Sequence, residues 1–416
     1  MAHQKMGKVP GYNSGMTGET DRKQKIGEGL YLTAFVLWML TALTKYTYYK
    51  DILQVSVWDD YIFYAALGLL FCKLVIDFSF CLKNVLGLFV LVLFMIIACA
   101  GGRLQFAVMF ALIYSAQNVP LGKILKTALF CQLFIFVLTV AGVWTGVLAD
   151  VIWEPETRAR HGLGFTHCML ASHFGLFVSV IYMAIVRRMT VARAAVILLI
   201  NGILFYLTDG RTDLYLSILF VILGFVFGNL GERIRCKRFF AVATATVPFV
   251  SLLCSLVVSM SYQSGDPFWE KLNLVLNNRL MLGNQAIAEY GFTLFGQKIK
   301  WIGASVLYYK PSAVYNYVDN SYLMTMFNYG TLFILCYCAA MAYVLYLHMI
   351  RKDTMLVVCL LVTLAFGMIN PQSMYLTYNP LLVLLADVWN PVFQPARSRA
   401  AESLIGGSGT EREDGR

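Results

Sequence analysis

Residues 126–148 read KTALFCQLFIFVLTVAGVWTGVL, a run in which Lys126 is the only charged side chain. A helix that crosses the hydrocarbon core of a bilayer needs about 20 predominantly apolar residues. The run does not alternate between apolar and polar residues, so it does not match the strand pattern of an outer-membrane barrel. It therefore predicts a transmembrane helix.

Runs of this kind recur along the whole chain. Of its 416 residues, 59% are hydrophobic and only 13% are charged, against roughly 25% charged residues in soluble globular domains. This composition excludes a soluble enzyme and a protein with a single membrane anchor. The sequence predicts an all-α polytopic integral membrane protein with about 12 transmembrane helices, each built on about 20 apolar residues. The expected spans are 29–47, 61–80, 85–100, 103–118, 126–148, 165–186, 192–208, 212–229, 239–260, 320–348, 354–370 and 375–392.

The basic residues indicate how these helices are oriented. The net charge is +10, but the Lys and Arg residues lie in short segments between apolar runs. Basic residues in such positions set the orientation of a membrane protein, so the charge does not indicate nucleic-acid binding. With both termini in the cytoplasm, 21 of the 33 Lys and Arg residues lie on the cytoplasmic side. The expected organisation is a basic cytoplasmic tail (1–28), nine transmembrane helices (29–260), a large extracytoplasmic loop (261–319), three further helices (320–394) and a disordered cytoplasmic tail (395–416).

The large loop is too long to be without structure of its own. Its stretch from Phe268 to Ala288 is amphipathic and compatible with a helix, and aromatic residues follow closely, Trp301 among them. Aromatic faces of this kind are surfaces on which sugar rings can stack.

Four arginines stand where the orientation rule expects few cations. Arg158 and Arg160 precede the sixth span, Arg211 lies in the turn between the seventh and eighth, and Arg279 lies in the large loop. A guanidinium group grips phosphate with two parallel hydrogen bonds and stays charged. These arginines predict an anion site at the outer membrane face. In the alternative, each of them pairs with lipid phosphate or with a neighbouring acid, namely Asp150, Glu154, Glu156, Asp209 or Asp213.

Candidates for proton transfer lie beside these arginines. Asp319 and Asn320 introduce the tenth span, and a carboxylate in this position can orient or deprotonate a hydroxyl group. Either residue can instead, or in addition, cap the helix N-terminus. His161 is flanked by arginines, which disfavours its charged form and makes it the second candidate base. His167 and His173 are six residues apart, which does not place them on one helix face for a metal.

Other ionisable residues admit two interpretations each. Lys73 and Asp77 are four residues apart within the second span and should meet on one helix face, either for function or simply to neutralise each other. Asp59 and Asp60 could bind a divalent cation only in a loop conformation. The ten cysteines contain no CxxC pair and are interpreted as packing residues.

The order of these motifs resembles that of a known family. An Arg-rich segment leads into GFTH (164–167), a TDGRT turn (208–212) joins two spans, a large loop carries an early Arg279, and DNSYL (319–323) opens the next span ahead of Gly330. The chain is thereby similar to the Wzy-type polysaccharide polymerases and the related O-antigen ligases. The ligases commonly place His where this chain has Asp319, which favours a polymerase.

The resemblance implies a GT-C-like polymerase/ligase architecture in the bacterial cytoplasmic membrane, with both termini cytoplasmic. Such an enzyme joins oligosaccharide repeats linked to undecaprenyl diphosphate into a capsular or exopolysaccharide chain, by inverting glycosyl transfer without metal or cofactor. Arg158 or Arg160, Arg211 and Arg279 would hold the diphosphate, and His167, Asn320, Tyr322 and Trp301 would contact sugars. A flippase and a chain-length regulator are the implied protein partners. The alternatives are a ligase and a flippase for the same lipid-linked oligosaccharides.

Overall fold

The computed structural model describes residues 14–78, 82–101, 103–153, 159–228, 237–303 and 314–389. This part of the chain is mainly helical, with one antiparallel hairpin, β1 (Ile152–Trp153) and β2 (Arg160–His161). The helices are α1 (Ser14–Thr44), α2 (Tyr49–Ile52), α3 (Val55–Asp77), α4 (Leu82–Ala100), α5 (Leu104–Ser115), α6 (Leu121–Trp144), α7 (Met169–Val186), α8 (Val191–Thr208), α9 (Arg211–Leu223), α10 (Lys237–Met260), α11 (Pro267–Val275), α12 (Arg279–Tyr290), α13 (Ser321–Ile350) and α14 (Thr354–Gly367). A π-helical turn, Gly224–Gly228, extends α9.

Seven helices within these ranges are long and apolar enough to cross a membrane: α1 from Arg22 onward, α4, α6, α7, α8, α10 and α13. Helices α5 and α14 are apolar but have only 12 and 14 residues. At 1.5 Å per residue, 12 residues extend about 18 Å, less than the roughly 30 Å of a hydrocarbon core. The predicted all-α multi-pass membrane architecture is confirmed, whereas about 12 full-length helical spans are not.

The predicted span at 375–392 is not an α-helix in its described part, so that prediction was wrong. Two 3₁₀ helices, Pro371–Met374 and Pro380–Val388, lie here instead, joined by non-helical residues 375–379. Each begins with a proline, which lacks the N–H that a continuous helix would need. Buried Gln132 of α6 donates to the carbonyl oxygens of Thr377 (2.7 Å) and Tyr378 (3.0 Å). Non-helical backbone is tolerated at membrane depth where protein encloses it in this way.

The connecting segments meet at two opposite ends of the bundle. We call one the loop end; it comprises residues 45–54, 101, 103, 145–153, 159–168, 209–210, 261–303, 314–320 and 368–379. There Tyr48 N donates to Gly164 O (3.0 Å), and Asn320 Nδ2 donates to Met368 O (2.8 Å). At the opposite end, which we call the terminal end, Arg187 pairs with Asp353 (3.4 Å), and Trp389 packs beside Gly87 near the start of α4.

The large loop forms two helices, α11 and α12, which confirms the helical expectation for Phe268–Ala288 with one interruption. Asn277 and Asn278 both have positive φ values, 53° and 62°, and break the stretch into two. After α12 the chain returns to α13, where Gln297 N donates to Phe327 O (3.0 Å) and Thr331 N donates to Thr293 O (2.9 Å). The loop thus inserts its backbone into a break in α13 at Gly330.

Replacing Gly330 with Ala is expected to release this docked loop. Gly330 has φ 93° and ψ 167°, a combination that only glycine adopts readily, at a cost of about 1–3 kcal/mol for other residues. An added Cβ would also lie 2.2 Å from Leu294 O. We expect a lower melting temperature in detergent and faster proteolysis within 291–303. Gly202→Ala in α8, where an added Cβ meets nothing within 4 Å, is the matched control. Wild-type melting and cleavage of the Gly330 variant would contradict the docking.

Two predictions about ionisable pairs can be compared with the fold. Lys73 forms an ion pair with Asp77, as their spacing predicts, and Lys73 Nζ also donates to Gln117 O at 2.9 Å. Asp59 is engaged by Lys45, whose ammonium also lies 4.9 Å from the centre of the Phe63 ring. No group of three or more potential metal ligands occurs in the ranges that the structure describes.

Candidate functional site

The structure separates the four predicted arginines by environment. Arg158 lies outside the described residues. Arg160 on β2 donates from Nε to Thr208 O (3.0 Å) and from Nη2 to Met169 Sδ (2.8 Å), so its guanidinium braces the start of α7 against the end of α8. Arg211 is 66% exposed and pairs with Asp209 at 3.2 Å, as in the alternative interpretation.

Arg279 and Asp319 lie close enough for their charges to interact. Burial raises the pKa of Asp319 above that of an ordinary carboxyl group, and the positive charge of Arg279 partly opposes this increase. The Nε of Arg279 is buried and has no hydrogen-bond partner within the part of the chain that the structure describes. A partly buried carboxylate with a raised pKa, beside a guanidinium that has an unused donor, is typical of a site for proton transfer and anion binding.

A buried histidine–aspartate pair adjoins Asp319. His173 Nδ1 lies 2.9 and 3.0 Å from the two carboxylate oxygens of Asp213, and both side chains are 2% exposed. The pair joins the first turns of α7 and α9, which are distant in sequence. From the sequence, His173 was considered only as a metal ligand and Asp213 only as a partner for arginine. The single signal for the pair was that each is an ionisable residue at the start of an apolar helix.

Two further histidines of the loop end, His161 and His167, differ in what they can do. His161 Nδ1 contacts Asp150 Oδ2 at 2.6 Å, and Asp150 Oδ1 also accepts a hydrogen bond from Leu163 N (2.8 Å). Burial, with smaller contributions from the charges of His173 and Arg160, lowers the pKa of His167 to about 4. His167 is therefore neutral at pH 7, and its Nδ1 accepts a hydrogen bond from Met169 N (3.3 Å).

Asn320 and Tyr322 take part in helix packing. Asn320 caps α13 by accepting a hydrogen bond from Leu323 N (3.0 Å), and its Nδ2 donates to Ser255 Oγ (2.9 Å) as well as to Met368 O. Tyr322 is fully buried and donates to Leu364 O (3.2 Å). Asn320 is therefore the residue that caps α13, and Asp319 does not have this role.

Trp301 lies at the mouth of a large cavity. The cavity has a volume of about 570 Å³ and runs between α4, α5, α13 and the segment 371–389. Its wall is mainly apolar, with Phe94, Phe106, Phe110 and Phe333 among the lining residues. It reaches from Trp301 and Arg103 at the loop end to Gly87 and Trp389 near the terminal end. Along α4, the distance from Gly87 to the helix end corresponds to about 20 Å of helical rise.

Arg103 is the cation at this mouth, and sequence analysis did not select it. Its guanidinium donates to Asn328 Oδ1 (2.6 Å) and Asn328 O (3.3 Å) and lies 5.6 Å from the centre of the Tyr329 ring. In the described ranges no carboxylate approaches it closely enough for an ion pair. Asn328 itself accepts a hydrogen bond from Trp301 Nε1 (2.9 Å), so the docked loop helps to hold the partner of Arg103.

Tyr317 links the cavity mouth to Asp319. Its side chain lines the cavity, and burial, followed by the influence of Tyr375 and Asp319, raises its pKa well above the usual value. Asp319 therefore lies near the Tyr317 wall of the cavity, and Arg279 lies near Asp319, although neither is among the described lining residues. This part of the loop end combines a long apolar cavity, a guanidinium with no ion-pair partner among the described residues, and a carboxylate that can take a proton.

The arrangement is suited to an amphiphilic anion whose head lies at the loop end. Its chain would fill the apolar cavity, its phosphate would meet Arg103, and a reacting group would lie near Asp319. Comparison with known protein families, with curated proteins and with solved structures finds no match to this chain.

Proposed function

We propose that the protein is a glycosyltransferase that joins undecaprenyl-diphosphate-linked oligosaccharide repeats into a capsular or exopolysaccharide chain. The observation that carries the proposal is the cavity with Arg103 at its mouth, adjoining Asp319 and Arg279. The motif resemblance to Wzy-type polymerases supports the same reaction class. Each part of such a substrate has a counterpart in the site.

The cavity supports a lipid-linked substrate by its shape and charge. An isoprenoid chain is long and apolar, and a channel of about 20 Å lined by aromatic rings would bury much of it. Arg103 is partly buried and has no counter-ion among the described residues, which is costly, and a bound diphosphate would supply negative charge. Guanidinium groups suit this role because they bind phosphate oxygens bidentately.

The positions of these groups support the following reaction. An acceptor sugar hydroxyl attacks C1 of the donor sugar while its proton passes to the Asp319 carboxylate. The bond between C1 and the phosphate oxygen breaks, and undecaprenyl diphosphate leaves with the electron pair. Arg103 and Arg279 stabilise the negative charge that develops on the diphosphate, as preorganised donors do in other transferases. Attack opposite the leaving group inverts the anomeric carbon.

The proposed topology places the loop end outside the bacterial cytoplasmic membrane. The distribution of Lys and Arg favours cytoplasmic termini. With α3, the shorter α5, α9 and α14, and the segment 371–389 also crossing, the chain would traverse the bilayer about 12 times, as short spans do when protein surrounds them. The GT-C-like architecture implied by the resemblance belongs to the same proposal.

Reconstitution tests the proposal against its two rivals. Purified protein in liposomes is supplied with an undecaprenyl-diphosphate-linked repeat and nothing else. We expect a ladder of products that differ by one repeat, each still carrying one lipid. Movement of labelled lipid across the bilayer without new glycosidic bonds would indicate a flippase. Glycan transfer only after another acceptor is added would indicate a ligase, and the absence of all three outcomes would refute a role in lipid-linked glycan assembly.

A further inference from the structure

A second cavity lies on the loop end, along one face of α12. It has a volume of about 430 Å³, within the range of small-ligand sites. Leu282, Gln285 and Glu289 lie on one wall at helical spacings of three and four residues. Residues 314–316 form part of the opposite wall. Unlike the large cavity, this one opens among the polar segments of the loop end and does not run between apolar helices.

The described lining of this α12 cavity includes polar and aromatic side chains, namely the amides of Gln285 and Asn316, the rings of Tyr290 and Tyr315, and the carboxylate of Glu289. The other described lining residues are aliphatic: Leu282, Ala286, Ala288 and Val314. Within the lining that the structure describes, Glu289 is the one charged side chain, and its charge is negative. Amide and carboxylate groups bind paired hydroxyl groups, and tyrosine rings offer flat apolar faces with a polar edge.

Several of these groups are already held in place. Asn316 Nδ2 donates to the Tyr290 hydroxyl (3.0 Å), and Asn316 Oδ1 accepts a hydrogen bond from Ile302 N (2.7 Å). The Tyr290 ring packs edge-on against Trp301 with centroids 5.7 Å apart. A lining that is fixed before binding loses less conformational freedom when a ligand arrives.

Tyr315 joins the α12 cavity to the proposed reaction site. It lines the cavity, and its pKa is raised by burial and by the charge of Asp319, while Arg279 opposes the increase. Tyr315 and Asp319 are four positions apart in non-helical chain, and their Cα atoms can be at most about 14 Å apart. One or two sugar rings could span that distance.

We infer that the α12 cavity binds uncharged sugar residues of the oligosaccharide and disfavours acidic ones. This inference rests on the proposed function. Hydroxyl groups of a neutral ring would bond to Gln285 and Glu289 while the ring contacts Tyr290 or Tyr315. A uronic acid in the same position would bring a second carboxylate beside Glu289, and no described cation of the lining would offset the repulsion.

Equilibrium binding of two soluble probes tests the inference. The purified full-length protein in nanodiscs is titrated with a neutral tetrasaccharide and with the same tetrasaccharide carrying one glucuronic acid. We expect the wild type to bind the neutral probe about fivefold more tightly, a ratio in keeping with one partly screened charge pair. Glu289→Gln should bring the ratio to below about twofold, and Gln285→Ala should weaken both probes. Asp60→Asn, which removes an exposed carboxylate near the start of α3, should leave the ratio unchanged.

Each other outcome overturns the inference. Equal binding of the two probes by the wild type, a preference unchanged by Glu289→Gln, or no binding of either probe would each do so. These results are separable from the proposed function, because a polymer ladder formed in liposomes would stand with any of them. Conversely, selective sugar binding without a polymer ladder would refute the proposed polymerase function and leave a sugar-binding site with another purpose.

Discussion

Replacing Arg103 with Ala is expected to abolish polymer and leave single lipid-linked repeats to accumulate. Arg103 is the cation at the mouth of the apolar cavity, and its described partners, Asn328 and the Tyr329 ring, are neutral. Loss of one preorganised donor to developing negative charge costs about 100–1000-fold in rate. Polymer length and the pool of unit repeats, measured in cells and in liposomes, report the effect.

Two further variants test whether the effect is specific to the guanidinium group of Arg103. Arg103→Lys keeps the charge but not the planar fork of donors, so we expect short polymer at an intermediate rate. Arg188→Ala removes an exposed arginine at the terminal end and should behave as wild type. Normal polymer from a well-expressed Arg103→Ala protein would show that the lipid diphosphate does not depend on Arg103 at this cavity. The observation on which the proposed function rests would then no longer support it.

Asp319→Asn is expected to reduce glycosyl transfer by about 100–10,000-fold while the lipid substrate still binds, because a general base contributes rate enhancements of that size. The pH profile of the wild type should reflect the same group. Burial raises the pKa of Asp319, so the base becomes protonated at a higher pH than an ordinary carboxyl group would. Activity should therefore decline, as pH falls, earlier than for a solvated carboxylate.

The variant Arg279→Gln tests the direction in which the pKa of Asp319 shifts. Arg279 partly opposes the effect of burial, so its removal should raise the pKa of Asp319 further and move the acid limb of the residual activity to higher pH. Arg279→Lys retains the charge and should leave the limb near its wild-type position. A limb that moves to lower pH in Arg279→Gln, or unchanged activity in Asp319→Asn, would rule out Asp319 as the base.

The apolar runs of the sequence determined the class of fold. Segments such as 126–148 can be accommodated only in a membrane or an unusually large core, and their length and lack of charge fix helices within it. Local spacing also sufficed for the pairing of Lys73 with Asp77 and for helices in the large loop. These features depend on residues within one or two turns of each other.

The site depended on contacts that no local pattern encodes. Arg103 and its partner Asn328 are 225 residues apart, and His173 and Asp213 are 40 residues apart on different helices. Local sequence therefore did not distinguish Arg211 from Arg279, although the fold leaves Arg211 exposed and brings Arg279 near Asp319.

The 3₁₀ segment that lines the cavity shows the same limit. Residues 375–392 are apolar enough to predict a spanning helix. Hydropathy contains no information about the two hydrogen bonds that Gln132, on another helix, donates to backbone carbonyls of this segment. The sequence by itself determined that this chain is a bundle of membrane helices with a large structured loop. Only the tertiary structure decided which charges are left unneutralised, because the free energy of a buried ion depends on the groups that the fold brings within a few ångströms of it.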